Sequence, residues 1–272
     1  MPRPVSVRYR VSPTANALAA SAAEFFASAV SAAVAARGVA RIAISGGTTP
    51  KAMFALLADR NALYFALVPW ERLYLFWVDE RCVPPTDKDS NYRMTKEAML
   101  AKVPLPAAHI HRMEGELDPE VAAVRYEAAI RKEFRLEGAQ MPVFDLVLLG
   151  MGEDGHTASL FPHTDALTEL GRIVVANHVA QKDTWRITLT WPVIDRAREV
   201  AFLIEGAAKA QTVQDVFCGA YDPEAKPAQL VRPASGRMTL LLDADAAAML
   251  PRPAGRDAAG AGSSFVATLE IS

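Results

Sequence analysis

Phe144-Asp-Leu-Val-Leu-Leu149 runs straight into Gly150-Met-Gly-Glu-Asp-Gly-His-Thr-Ala-Ser-Leu-Phe-Pro162, so a short apolar run stops on a glycine and turns at once into a polar loop. A run this short and almost wholly apolar fits a strand buried on both faces, as in a parallel sheet covered by helices. Glu153 and Asp154 precede residues 157–160, which predict the start of a helix, so His156 is expected at a helix N-terminus above a strand end. The partial positive charge of such an end disfavours imidazolium and leaves the neutral ring that a general base needs. Gly150, Gly152 and Gly155 also spell G-x-G-x-x-G. A dinucleotide site needs an acid about 20 residues further on to hold a ribose. Val174-Val-Ala-Asn-His178 supplies none, and two carboxylates inside the turn repel a pyrophosphate.

The same strand-then-loop pattern recurs on either side. Arg41-Ile-Ala-Ile44 delivers Ser45-Gly-Gly-Thr-Thr-Pro50, and Leu73-Tyr-Leu-Phe-Trp-Val78 delivers Asp79-Glu80-Arg81. Residues 200–204 deliver Glu205-Gly-Ala-Ala-Lys209. In the first loop, Gly46 and Gly47 let backbone N–H groups approach a ligand, Ser45 and Thr48 add hydroxyls, and a following helix favours an anion, so a phosphate fits there. Without Gly-Lys-Ser/Thr it is not a nucleotide-triphosphate loop. In a parallel sheet the carboxyl ends of the strands converge on one crevice. The loops carrying Ser45 to Thr48, Asp79 with Arg81, and Gly150 to His156 are therefore expected to line one site. Arg186, in a strand expected over 185–190, and Lys209 are candidate phosphate clamps beside it.

The remaining elements follow from local signals. An edge strand is expected over 5–11, then a helix with Ser12 as N-cap and Pro13 at its first position, running to residue 36 before Gly38. Further helices are expected over 90–102, from Pro119 to 134 with Val121, Val124, Ala128 and Ile130 as core contacts, over 192–197, and over an alanine-rich stretch to 250. Strands are expected over 173–179, 185–190 and 238–243. Residues 251–264 are rich in Pro, Gly, Ala and Ser, and residues 265–269 can return as an edge strand. The expectation is one α/β domain over 1–250 and a flexible tail over 251–272.

Composition narrows the function classes. With 272 residues and half of them apolar, the chain can bury a large core. A net charge of −2 and the absence of a Lys/Arg run argue against nucleic acid or an anionic membrane as partner. Cys82 and Cys218 are too few for a disulfide framework, no stretch reaches the ~18 consecutive apolar residues of a span, and Met-Pro-Arg-Pro-Val has no apolar signal core. A cytoplasmic protein is expected. His109 and His111 lack a third ligand nearby, and no His-Glu-x-x-His occurs, so neither metal nor cofactor is expected.

Taken together, Ser45-Gly-Gly-Thr-Thr-Pro50, the stretch from Trp77 to Met94, Phe144 to Pro162, Trp185-Arg-Ile-Thr and Gly206-Ala-Ala-Lys209 resemble, in order, the 6-phosphogluconolactonases. The likeness covers roughly residues 5 to 250, and Met238 departs from it where a tryptophan is expected. It implies a Rossmann-like three-layer αβα sandwich with a mostly parallel central sheet. It also implies hydrolysis of a sugar phosphate lactone, 6-phosphoglucono-1,5-lactone, in the oxidative pentose phosphate pathway; separately, a monomer is expected. The related glucosamine-6-phosphate deaminases place a glutamate five residues after the histidine, where this chain has Phe161. A non-catalytic sugar-phosphate sensor is a third reading, and it would not need the base. On the lactonase reading His156 activates water, Asp154 orients the imidazole or stabilises the imidazolium, and Arg81, Arg186 and Lys209 hold the phosphate. Backbone N–H groups of Gly46 and Gly47, or of the turn containing Gly150 and Gly152, stabilise the oxyanion.

Overall fold

A computed structural model describes residues 5–251 and 264–271. The strands are β1 (Val5–Ser12), β2 (Ala40–Ile44), β3 (Leu73–Trp77), β4 (Asp79–Arg81), β5 (Ile110–His111), β6 (Leu146–Leu149), β7 (Val174–Val179), β8 (Thr184–Leu189), β9 (Val200–Ile204), β10 (Met238–Asp243) and β11 (Phe265–Ile271). The α-helices are α1 (Ala15–Arg37), α2 (Thr48–Leu57), α3 (Leu63–Leu67), α4 (Asn91–Thr95), α5 (Pro119–Phe134), α6 (Trp191–Asp195) and α7 (Ala210–Cys218). Eight strands form the central sheet in the order β11-β1-β10-β9-β6-β2-β3-β5, parallel throughout except for β11. The α/β class and the mostly parallel sheet expected from the sequence are what the chain adopts.

The near-continuous apolar runs have a simple cause. Ile42, Ile44, Leu146 and Leu148 face a core shared with α1 and α2, while Ala43, Val147 and Leu149 face a second core shared with α5 and α7. Each strand is therefore buried on both sides. From β2 the chain moves outward to β3 and β5, then returns to lay β6 on the other flank of β2 and continues to β9 and β10. The strand order reverses at β2 and β6, which opens the ligand crevice above their carboxyl ends.

Several local expectations are corrected. Ser12 does not cap α1, because it still belongs to β1 and lies opposite Asp243; Thr14 caps instead, accepting from the Ala17 N–H at 3.2 Å. Strand β1 is not an edge, because β11 docks antiparallel along it. That strand takes up residues 265–271 of the tail expected to be flexible, while residues 252–263 lie outside the described residues. Residues 244–249 form turns rather than a helix, with the Asp243 carboxylate engaged by the N–H groups of Gly206 and Ala246. Helix α5 buries Ala122, Ala123, Tyr126 and Ile130 and leaves Val121, Val124 and Ala128 exposed. The face is set by Tyr126, whose hydroxyl accepts the Trp77 N–H at 2.8 Å and donates to the Trp77 carbonyl at 2.9 Å.

Helix α1 is long and apolar enough to cross a membrane by length and composition alone. About half of it is buried, and Leu18, Phe26 and Val30 pack into the core against the sheet. His109 and His111 stack on Tyr74 and Phe76 of β3, with ring centroids 3.9 and 4.4 Å apart. Burial holds the His111 imidazole below its ordinary value; Glu133 opposes this, and the positive charges of His109 and Arg41 add to it. The unfolded chain takes up this proton near pH 6.5, whereas the folded protein does so only at lower pH, so stability should fall as pH drops below about 6.5. Thermal unfolding of the wild type and His111→Phe between pH 7.5 and 5.5 checks this. The variant should lose part of the acid sensitivity, and identical pH dependence in both would contradict it.

Candidate functional site

A cavity of about 310 Å³ opens above the carboxyl ends of β9, β6, β2 and β3. Its lining includes Ser45, Gly46, Gly47, Thr48, Asp79, Arg81, Gly150, Gly152, His156, Arg186 and Lys209, so these sequence-selected residues meet in one place. Asp154 stands behind His156, with Oδ1 2.5 Å from the ring Nδ1 and 3.2 Å from the His156 backbone nitrogen. A carboxylate at Nδ1 places the ring proton there and leaves Nε2 as the basic nitrogen. No hydrogen bond to Nε2 is made by the described residues. Burial pushes the Asp154 carboxyl up, but the His156 ring, its backbone N–H and the charge of Lys182 outweigh burial and hold it at about 2. The carboxylate is thus ionised throughout the neutral range.

The residues after His156 do not form the expected helix. Gly155 and Ala158 adopt left-handed φ values of 84° and 49°, Thr157 bridges Leu160, and the Thr157 hydroxyl donates to the Gly150 carbonyl at 2.8 Å. The segment that follows His156 therefore supplies no helix end to the imidazole. The ring is held instead by Asp154 and by Phe161, which stacks on it with centroids 4.0 Å apart and an interplanar angle of 23°. In the sequence Phe161 marks only the position where the deaminases have a glutamate. Its ring makes one wall of the site.

Asp79-Glu80-Arg81 is not a solvent-facing strand end. It forms β4 of a separate three-stranded sheet, β4-β8-β7, in which Arg81 lies opposite Arg186. Glu80 is 2% exposed and accepts the N–H groups of Arg81, Asn91 and Tyr92 at 2.7 to 2.9 Å, and the Ser90 hydroxyl at 3.1 Å. Burial raises its pKa, and those backbone donors oppose the rise. Glu80 thereby ties β4 to the start of α4 and orients Asp79 and Arg81, which flank it. Asp79 accepts the Ser159 hydroxyl at 2.7 Å, and Asn91 Nδ2 donates to the Asp79 carbonyl at 2.9 Å. Neither Ser159 nor Asn91 stood out in the sequence as part of the site. The nearest local signal is the helix expected to begin at residue 90, which Ser90 caps by accepting the Arg93 N–H at 3.1 Å.

The three cations reach the cavity from different elements. Arg81 and Arg186 face each other across β4 and β8, where burial and the charge of Arg81 lower the pKa of Arg186. Lys209 precedes α7 beyond β9, and its Nζ is 3.7 Å from Glu153. Among the described residues no group of three His, Cys, Asp or Glu is arranged to hold a metal ion.

A model of the family Glucosamine-6-phosphate isomerases/6-phosphogluconolactonase matches residues 13–240. The chain is 45% identical over 216 residues to the 6-phosphogluconolactonase of a Synechocystis species, covering 79% of this chain and 86% of that one. Among solved structures it is similar to the 6-phosphogluconolactonase of Trypanosoma brucei, with 30% identity, a TM-score of 0.76, and 89% and 98% of the two chains covered. A monomeric glucosamine-6-phosphate deaminase superposes with a TM-score of 0.72 at 18% identity, over 89% and 99% of the two chains. That last likeness concerns the fold alone.

Proposed function

The chain belongs to the glucosamine-6-phosphate isomerase/6-phosphogluconolactonase family, and from that membership we infer a mechanism in which His156 is the general base for opening the lactone. The protein is a carboxylic ester hydrolase that converts 6-phosphoglucono-1,5-lactone to 6-phosphogluconate, a step of the oxidative pentose phosphate pathway. The observation that carries the base assignment is the 2.5 Å contact between His156 Nδ1 and Asp154, which leaves Nε2 to the cavity. Nε2 takes a proton from water as the water oxygen bonds to C1, and the carbonyl electrons move onto the oxygen of C1. As they return, the bond from C1 to the ring oxygen breaks and the imidazolium gives its proton to that oxygen. Asp154 stabilises the imidazolium in between.

The 45–48 loop, with Arg81, Arg186 and Lys209, supplies the donors and positive charge for the phosphate. The deaminase reading is disfavoured because Phe161 stacks on the imidazole where a carboxylate partner is required. Bilayers retain phosphorylated sugars, which supports work in the cytoplasm on a small molecule, and a net charge of −2 with no Lys/Arg run supports a role without nucleic acid or an anionic membrane; a monomer that needs no cofactor completes the reading. The purified protein is expected to hydrolyse 6-phosphogluconolactone well above the spontaneous background and to release no ammonia from glucosamine 6-phosphate. A lactone rate equal to background would refute the reading, and ammonia release would restore the deaminase.

A further inference from the structure

The mechanism needs positive charge at two places, the phosphate and the oxygen on C1, and the cations considered so far are all assigned to the phosphate. At the C1 end several turn amides are already committed. Gly152 N–H donates to the His156 carbonyl at 2.9 Å, Gly155 N–H to the Gly152 carbonyl at 3.1 Å, and His156 N–H to Asp154. A further cation does stand on this side. Lys182 lies in the turn between β7 and β8, lines the cavity, and carries its Nζ 4.7 Å from the centre of the Phe161 ring. His156 stacks on that same ring, so the ammonium is no further from the imidazole than these two short distances combined. The Lys182 turn is anchored by its neighbour, since Gln181 Nε2 donates to the Pro162 carbonyl at 3.0 Å. Lys209 and Lys226 each have a carboxylate within 4 Å, whereas among the described residues Lys182 has none. The pKa of Asp154 already registers its charge.

We propose that Lys182 is the cation of the lactone end, its ammonium donating to the oxygen on C1 as that oxygen becomes an oxyanion and then to the carboxylate of the product. This rests on the lactonase reading of the same cavity. The Phe161 face holds the ammonium by cation–π attraction without neutralising it, which leaves its donors free for substrate. A preorganised donor aimed at developing charge stabilises the transition state more than the ground state.

The test compares two competitive inhibitors of lactone hydrolysis: 6-phosphogluconate, which carries both phosphate and carboxylate, and glucitol 6-phosphate, which lacks the carboxylate. Lys182→Met keeps the apolar stem and removes the charge. It should lower kcat about 10-fold and weaken 6-phosphogluconate about 10-fold while leaving glucitol 6-phosphate within about twofold; Lys182→Arg should recover most of both losses. Equal weakening of the two inhibitors, or no change in either, would overturn the assignment while leaving the lactonase reading intact. A wild-type protein that is inhibited by neither compound would overturn that reading and this assignment together.

Discussion

His156→Ala is expected to lower kcat by about 10²- to 10⁴-fold with KM little changed, because the imidazole acts only as water attacks and as the ring oxygen leaves. The cavity, the 45–48 loop and the cations survive this substitution, so substrate binding should as well. Lys209→Ala and Arg186→Ala provide the contrast within the same assay. Each removes a charge offered to the phosphate before any bond changes, so the main effect should be a higher KM, with a smaller loss of kcat where phosphate binding also positions C1. Should His156→Ala raise KM alone while the cation variants lose kcat alone, the roles would have to be exchanged. The pH profile adds a constraint. Because Asp154 is held at about 2, a loss of kcat/KM between pH 7 and 5 cannot come from protonation of that carboxylate.

Gly152→Ala should be nearly as damaging, although it removes no functional group. A methyl on Gly152 would lie 2.1 Å from His156 Nδ1 and 2.4 Å from Asp154 Oδ1, closer than atoms can approach, so the imidazole and its carboxylate must move apart or shift together. Gly152 is not among the residues with positive φ, and its backbone accepts alanine without strain. The cost therefore falls on the site. A misplacement of about 1 Å in a reacting group lowers rates on the order of 10²-fold, and kcat should drop by about that factor with little change in Tm. A fully active Gly152→Ala enzyme would mean that the 2.5 Å contact between Asp154 and His156 is not the working geometry.

What could be read from the chain and what could not divides along physical lines. Apolar runs at 41–44, 73–78, 144–149 and 200–204, followed by Ser45-Gly46, Asp79, Gly150 and Glu205, mark strand and loop by local composition alone. That was sufficient to gather His156, Asp154, Ser45, Gly46, Gly47, Thr48, Asp79, Arg81 and Lys209 at one edge of a sheet. Helix ends were less legible. The signal at Ser12-Pro13 was overridden by one more residue of strand pairing, Ser12 opposite Asp243, and the alanine-rich stretch after Asp243 was drawn into turns by that aspartate. The predicted helix after His156 failed for a similar reason, since left-handed residues at 155 and 158 and the Thr157 hydroxyl bond close the segment on itself.

The sequence by itself determined the parallel sheet and the identity of its chemical loops, because residue spacing reports burial on both faces and glycine reports where a backbone must turn sharply. The tertiary structure alone decided how those loops meet. Only the folded chain brings Ser159 to Asp79 across 80 residues, sets Glu80 under the α4 terminus, lays Phe161 on His156 and seats Lys182 over Phe161. Such contacts depend on strand order and on turns far apart in the chain, so no local pattern records them.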